Sequence, residues 1–180
     1  MRNHIALLTG LATLVLGAGA ASAGGSKGSI GVGGEATLGS IGIDLGGGNA
    51  ITTRLGGLSA NYDAGEFHVG GFLGFSDGGG DDDTDVLLGA RFYYHLHSSP
   101  SADFGVGGGL GLGFFGDRTT LVDDNQTAML IEPGVQVRAF VQSNVALSFT
   151  AGLTLGLVDA EGVAISAQPL AAAGVHYYFF

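Results

Sequence analysis

The sequence predicts an all-β fold, an eight-stranded antiparallel up-and-down transmembrane β-barrel, and three observations carry that expectation. Apolar residues recur at every second position in eight separate segments, the period of a strand that turns one face to hydrocarbon. Most of these segments run about 9 to 14 residues, which suits a tilted bilayer-crossing strand and exceeds the roughly five or six usual in soluble sheets. The connections alternate between short and long, as in a barrel of hairpins standing across a membrane.

Ahead of the first segment, Arg2 precedes an uncharged apolar run from Ile5 to Leu16, followed by Ala21-Ser22-Ala23. The run is about a dozen residues, too short to cross a bilayer as a helix, and its flanks are those of an exported precursor. Residues 1–23 are therefore expected to be a signal peptide and residues 24–180 one barrel domain. In that domain Lys27, Arg54, Arg91, Arg118 and Arg138 face 16 Asp and Glu, a balance that excludes phosphate-backbone binding and predicts no nucleic-acid partner. The absence of cysteine excludes disulfides, thiolate metal sites and a lipidated cysteine. The 36 glycines do not signal low complexity, because 46% of the chain is hydrophobic and prolines number three. After Ala23 no capping box precedes a helical apolar series.

Taken in order, Ile30, Val32, Gly34, Ala36 and Leu38 alternate with small or polar neighbours in a first strand. Leu58, Ala60 and Tyr62, then Phe67, Val69, Gly71, Leu73 and Phe75, make a hairpin about the turn at Ala64-Gly65. Val86 to Leu96 and Phe104 to Phe114 give strands four and five, the latter with glycine at every inward position from Gly105 to Gly113. Met129 to Val141, Val145 to Leu157 and Ile165 to Phe179 complete the eight. Pro133 and Pro169 interrupt strands six and eight, and a local bulge is expected at each.

The apolar face is nearly free of charge along all eight segments, whereas the other holds Glu35, Glu66, His68, Arg91, His95, Glu132, Arg138 and His176. A soluble barrel would be inverted, with its apolar face inside. Glu35, Glu66, Arg91, Glu132, Arg138 and His176 are thus the expected polar network of the lumen. Asp63 to Glu66, Ser98 to Ala102 and Gln142-Ser143 are short turns, expected to face the periplasm. Gly39 to Arg54, Asp77 to Thr84, Gly116 to Gln126 and Val158 to Val163 are longer, more acidic connections, expected outside. Tyr62, Phe67, Tyr94, Phe104, Tyr177 and Phe179 then fall together at the short-turn end as an aromatic girdle, with Phe75 and Phe114 at the other rim.

With a C-terminal strand ending Val175-His176-Tyr177-Tyr178-Phe179-Phe180, these features resemble the small OmpA/OmpX-type outer-membrane barrels over the whole of residues 24–180. The resemblance implies an outer-membrane location after export, and recognition of the Phe-terminated strand by the bacterial barrel assembly machinery. By alternation Phe179 is in the lipid-facing phase and Phe180 lies one residue beyond it.

The candidates for chemistry are His68, His95, His97 and His176, inward by phase, with Ser99 and Asp103 close in sequence. No Ser-His-acid arrangement is fixed by spacing and none of these groups lies on the lipid face, so no catalytic residue is expected. A metal site among His68, His95 and His176 is the lesser reading beside lumen filling, and neither metal nor cofactor is expected. Gly105-Val106-Gly107 lacks the following helix that a phosphate cradle needs. Asp81-Asp82-Asp83-Thr84-Asp85, with Asp77, lacks the Gly and bidentate Glu of a Ca²⁺ loop and reads as a solvated acidic loop. The expected function is non-enzymatic, a monomeric structural or surface-interaction barrel with a plugged lumen. Its acidic, Gly-rich outer loops would meet ions, lipopolysaccharide or other partners. An embedded lipid-modifying or proteolytic enzyme, or a narrow solute conduit, is the alternative.

Overall fold

The computed structural model describes residues 26–37, 56–77, 84–115, 126–157, 162–166 and 172–179. The expected signal peptide, Arg54, Arg118, Pro169, Phe180 and most of the long connections lie outside these residues. The strands are β1 (Ile30–Thr37), β2 (Gly56–Asp63), β3 (Phe67–Asp77), β4 (Thr84–Ser98) and β5 (Ala102–Phe115). They continue with β6 (Gln126–Gln142), β7 (Val145–Leu157), β8 (Gly162–Ser166) and β9 (Ala172–Phe179). No helix among the described residues is long and apolar enough to cross a membrane.

Each strand from β1 to β7 pairs antiparallel with the next, and β9 pairs with both β7 and β1, so the sheet closes on itself. β8 and β9 act as one stave, because both pair with β7. The eighth strand expected from the sequence is therefore present in two pieces, and the barrel has eight staves. Closure leaves no edge in hydrocarbon, where an unpaired backbone N–H or C=O costs several kcal/mol. Gly152 pairs with Ser166 of β8 and Phe149 with Ala173 of β9, two registers on β7 that differ by four residues.

Pro133 does not produce the expected bulge. The β6–β7 register is the same at Ile131–Leu155 and Gly134–Gly152, and the ladder only skips Glu132 and Pro133. On its other side Pro133 stays level with Gly108 of β5. The missing N–H thus costs a gap in one ladder and no change of phase. β6 begins at Gln126, well before Gly134. Register shifts occur instead between His95 and His97, against β5, and between Phe140 and Gln142, against β7. Both lie next to short turns, where one extra residue re-aims the chain. The first of them corrects the expectation for His97, which is exposed rather than inward because the bulge at Leu96 reverses its phase.

The turn at Ala64-Gly65-Glu66 is possible because Gly65 adopts φ 91°, a left-handed conformation costly to any residue with a Cβ. Alternation along the strands sorts side chains as in a membrane-spanning barrel. Leu58 is 72% and Phe75 55% exposed on the outside, while Glu132 and Arg138 are 0% and 2% exposed inside. Leu153 and Thr154, adjacent on β7, test that sorting: Leu153 faces out, and Thr154 is fully buried with its hydroxyl donated to Glu132 Oε2 at 2.6 Å. Leu153→Arg should destabilise by about 2–4 kcal/mol if it lies near mid-membrane. Thr154→Ser, which keeps the hydroxyl, should cost far less in the same urea titration in liposomes; equal losses would mean the faces are reversed.

Candidate functional site

The lumen is lined by the inward residues of all eight staves, in three levels. At the short-turn end a polar cluster converges on Arg138 of β6. Its Nη2 donates to Asp63 Oδ2 and Asp103 Oδ2, both at 2.6 Å, and lies 3.1 Å from His95 Nε2. Nη1 donates to the Tyr178 hydroxyl at 3.0 Å. Asp63 is held by the N–H of Gly65 on Oδ1, 2.8 Å away, and Ser98 Oγ donates to Asp103 Oδ1. His95 Nδ1 is 2.8 Å from the Gly65 carbonyl, which can only accept, so Nδ1 carries the hydrogen. Its Nε2 faces inward, 2.7 Å from His68 Nδ1 and 3.1 Å from Arg138 Nη2. One guanidinium thereby joins strands β2, β4, β5, β6 and β9.

Half-way along the bore, Arg91 of β4 donates to Glu35 Oε2 of β1, and its guanidinium sits 4.6 Å from the centre of the Phe72 ring. Phe72 lies flat over Gly89, where a Cβ would run into the ring, so glycine is what lets the aromatic fold down inside the barrel. His176 Nε2 is 2.6 Å from Ser59 Oγ and 3.1 Å from Glu35 Oε1, with Ser148 Oγ 3.5 Å from Nδ1. Serine, histidine and glutamate thus meet, but not as a triad. A histidine base takes the serine proton on one nitrogen while the acid orients the ring through the other. Here Ser59 and Glu35 share Nε2, and Ser59 and His176 are 6% and 1% exposed. Nearby, Glu132 receives the Thr154 hydroxyl, and Gln136 Nε2 donates to Thr150 Oγ1 at 3.1 Å.

Toward the long connections the lining changes character. Leu87, Phe115, Ala128 and Leu130 are all buried there, with Leu87 and Ala128 level across Gly113. Asp85, expected in the acidic loop, instead stands in β4, buried and level with Ser76 of β3; Asp81 to Asp83 lie outside the described residues.

Of the residues expected in the lumen network, Glu35, Arg91, Glu132, Arg138 and His176 are brought inside, and Glu66 is not. Glu66 has the inward parity, but it falls in the β2–β3 turn, where alternation has ended, and is exposed. Asp63, Asp103 and Tyr178 take its place around Arg138. All three carry the inward phase in the sequence: Asp63 stands at the head of one short turn, Asp103 follows another as a candidate close to the histidines, and Tyr178 lies between two outward aromatics. His176 meets Glu35 and Ser59 while His68 and His95 meet each other, so the three histidines do not share one centre.

On the outside, Tyr62, Tyr94, Phe104, Tyr177 and Phe179 are exposed and Phe67 is partly covered. Phe67 packs on Phe92 with ring centres 5.4 Å apart, and Tyr177 meets Phe179 edge-on at 5.0 Å. Tyr62 and Phe179 flank Ile30 at the same height, which places both aromatics in one belt at the short-turn end.

No family model matches the chain and no curated protein matches it. Among solved structures it is similar to Ail, the attachment invasion locus protein of Yersinia pestis, with 13% identity over 85% of this chain and 99% of that one and a TM-score of 0.49. By its own geometry the chain is a closed antiparallel β-barrel of eight staves in hairpin order, with an apolar outside and a polar inside.

Proposed function

We propose that this outer-membrane barrel is a non-enzymatic, monomeric structural or surface-interaction protein with a plugged lumen and acidic, Gly-rich loops presented outside the cell. The observation that carries this reading is the path of the Arg138 guanidinium. It leaves β6 and bonds Asp63 of β2, with three staves between them either way round the ring, so it crosses the full width of the bore. Arg91 spans from β4 to Glu35 of β1, past the two staves between them. The apolar layer of Leu87, Phe115, Ala128 and Leu130 supports closure at the other end. An eight-stranded barrel has an interior just wide enough for side chains to fill. A non-enzymatic role is supported by the burial of Ser59 and His176 inside that bore, away from any lipid or peptide outside it.

In this reading residues 1–23 direct export and are removed, the Phe-terminated β9 is read by the assembly machinery, and lipid and lipopolysaccharide surround the outer face. The lumen is the part most directly tested. Purified protein in planar bilayers should show no stable single-channel current, and shrinking Arg91 and Tyr93 together to Ala should be the route to a leak. Reproducible open channels in the unaltered protein would replace this reading with a solute conduit.

A further inference from the structure

We propose that Asp63, His95 and Asp103 form a divalent-metal site whose resident cation is the guanidinium of Arg138. A carboxylate oxygen or ring nitrogen from each of the three lies within 4.8 Å of the others, with both aspartates buried and His95 half-buried. A single nitrogen, Arg138 Nη2, contacts all three at 2.6, 2.6 and 3.1 Å. The point where a metal would sit is therefore held by positive charge that the chain itself supplies. The occupant is an imperfect match. Two carboxylates against one guanidinium leave an excess negative charge, whereas a dication would leave none.

Each ligand is also already oriented from behind, as metal ligands are. His95 donates Nδ1–H to the Gly65 carbonyl, which aims the Nε2 lone pair inward. Asp63 is held on its far oxygen by Gly65 N–H, and Asp103 on its far oxygen by Ser98. One imidazole nitrogen and two carboxylate oxygens suit zinc and its transition-metal neighbours, while Ca²⁺ asks for six or more oxygens. Zinc binds such atoms at about 2.0–2.2 Å, so each group must move inward by roughly 0.5–1 Å from its distance to Nη2. All three sit where backbone can yield: Asp63 ends β2, Asp103 is second in β5, and His95 adjoins the bulge. Arg138 lies four residues inside the end of β6, and its resident guanidinium keeps the native site shut to metal.

Zinc added to the full-length protein in detergent micelles tests this, with bound zinc counted by native mass spectrometry and melting followed by far-ultraviolet circular dichroism. The unaltered protein should bind none here and keep its melting temperature. Arg138→Ala should bind one zinc and melt several degrees higher with it. Adding Asp63→Asn to that variant should weaken binding by about tenfold or more. If Arg138→Ala does not fold, Arg138→Gln takes its place, and if neither folds alone, both are refolded with and without zinc. Recovery only with zinc supports the site. A folded variant that takes up no zinc, uptake unchanged by Asp63→Asn, equal uptake by the unaltered protein, or no zinc-dependent recovery overturns it.

Discussion

Arg138→Ala, measured without metal by urea unfolding in liposomes, should cost about 3–5 kcal/mol of folding stability, because it strands buried carboxylates inside the barrel. Asp63 and Asp103 are 0% and 3% exposed, and each directs one oxygen at Nη2. Neither can reach water without disturbing a short turn, since Gly65 and Ser98 hold their other oxygens. The same substitution removes the donor to Tyr178, a link between β6 and the last strand. The loss should be largely electrostatic and hence reversible. Adding Asp63→Asn and Asp103→Asn to Arg138→Ala should recover a substantial part of it, since neutral amides cost much less to bury unpaired than carboxylates do. A triple variant no more stable than the single one would show that Arg138 acts by filling space, through its contacts with Phe140 and Tyr178, rather than by charge.

The barrel was legible in the sequence because two independent patterns report it. Alternation fixes which side of each strand meets lipid, and the long run of each alternation fixes that lipid is what it meets. In β5, glycine at each inward position from Gly105 to Gly113 beside outward Phe104, Val106, Leu110, Leu112 and Phe114 leaves little choice of phase. The pattern fails where strands give way to turns. His97 and Glu66 both have inward parity; a one-residue bulge exposes the first and a turn the second. A bulge inserts one residue without altering composition, so parity counted from mid-strand cannot detect it. Pro133 shows the converse, a residue whose chemistry suggests a bulge but whose missing N–H is absorbed by a gap in one ladder.

The site was less legible than the fold because phase says only that a side chain is inside. Which inward groups meet depends on the stagger of the strands round the ring, and stagger is set by closure. Arg138 is level with Asp103 on the neighbouring β5, a pairing that register alone could have offered once the strand bounds were known. Its bond to Asp63 on the opposite wall has no local signal. The same holds for Ser59, His176 and Glu35, which come from β2, β9 and β1 and meet only because β9 closes onto β1. A sequence search for Ser, His and acid at fixed spacing cannot find such a group, nor can it say that Ser59 and Glu35 share one ring nitrogen.

Arg91→Ala should be the second large loss, about 3 kcal/mol, at the lower end of the range for a broken buried pair. Two features set that magnitude. Glu35 keeps one partner when Arg91 is gone, because His176 Nε2 is 3.1 Å from its Oε1, so the stranded carboxylate is less isolated than those around Arg138. Against that, Arg91 also lies over the Phe72 ring at 4.6 Å, a contact worth about 1–2 kcal/mol where it is shielded from water. Arg118→Ala, at a position expected in an outer loop, should change stability by less than about 0.5 kcal/mol. A double-mutant cycle with Glu35→Gln separates the parts. If the ion pair dominates, Arg91→Ala should cost much less in the Glu35→Gln background than in the unaltered protein, with the remainder measuring the Phe72 contact. Identical costs in both backgrounds would mean that Arg91 stabilises the barrel without Glu35, and the mid-lumen pairing would have to be assigned elsewhere.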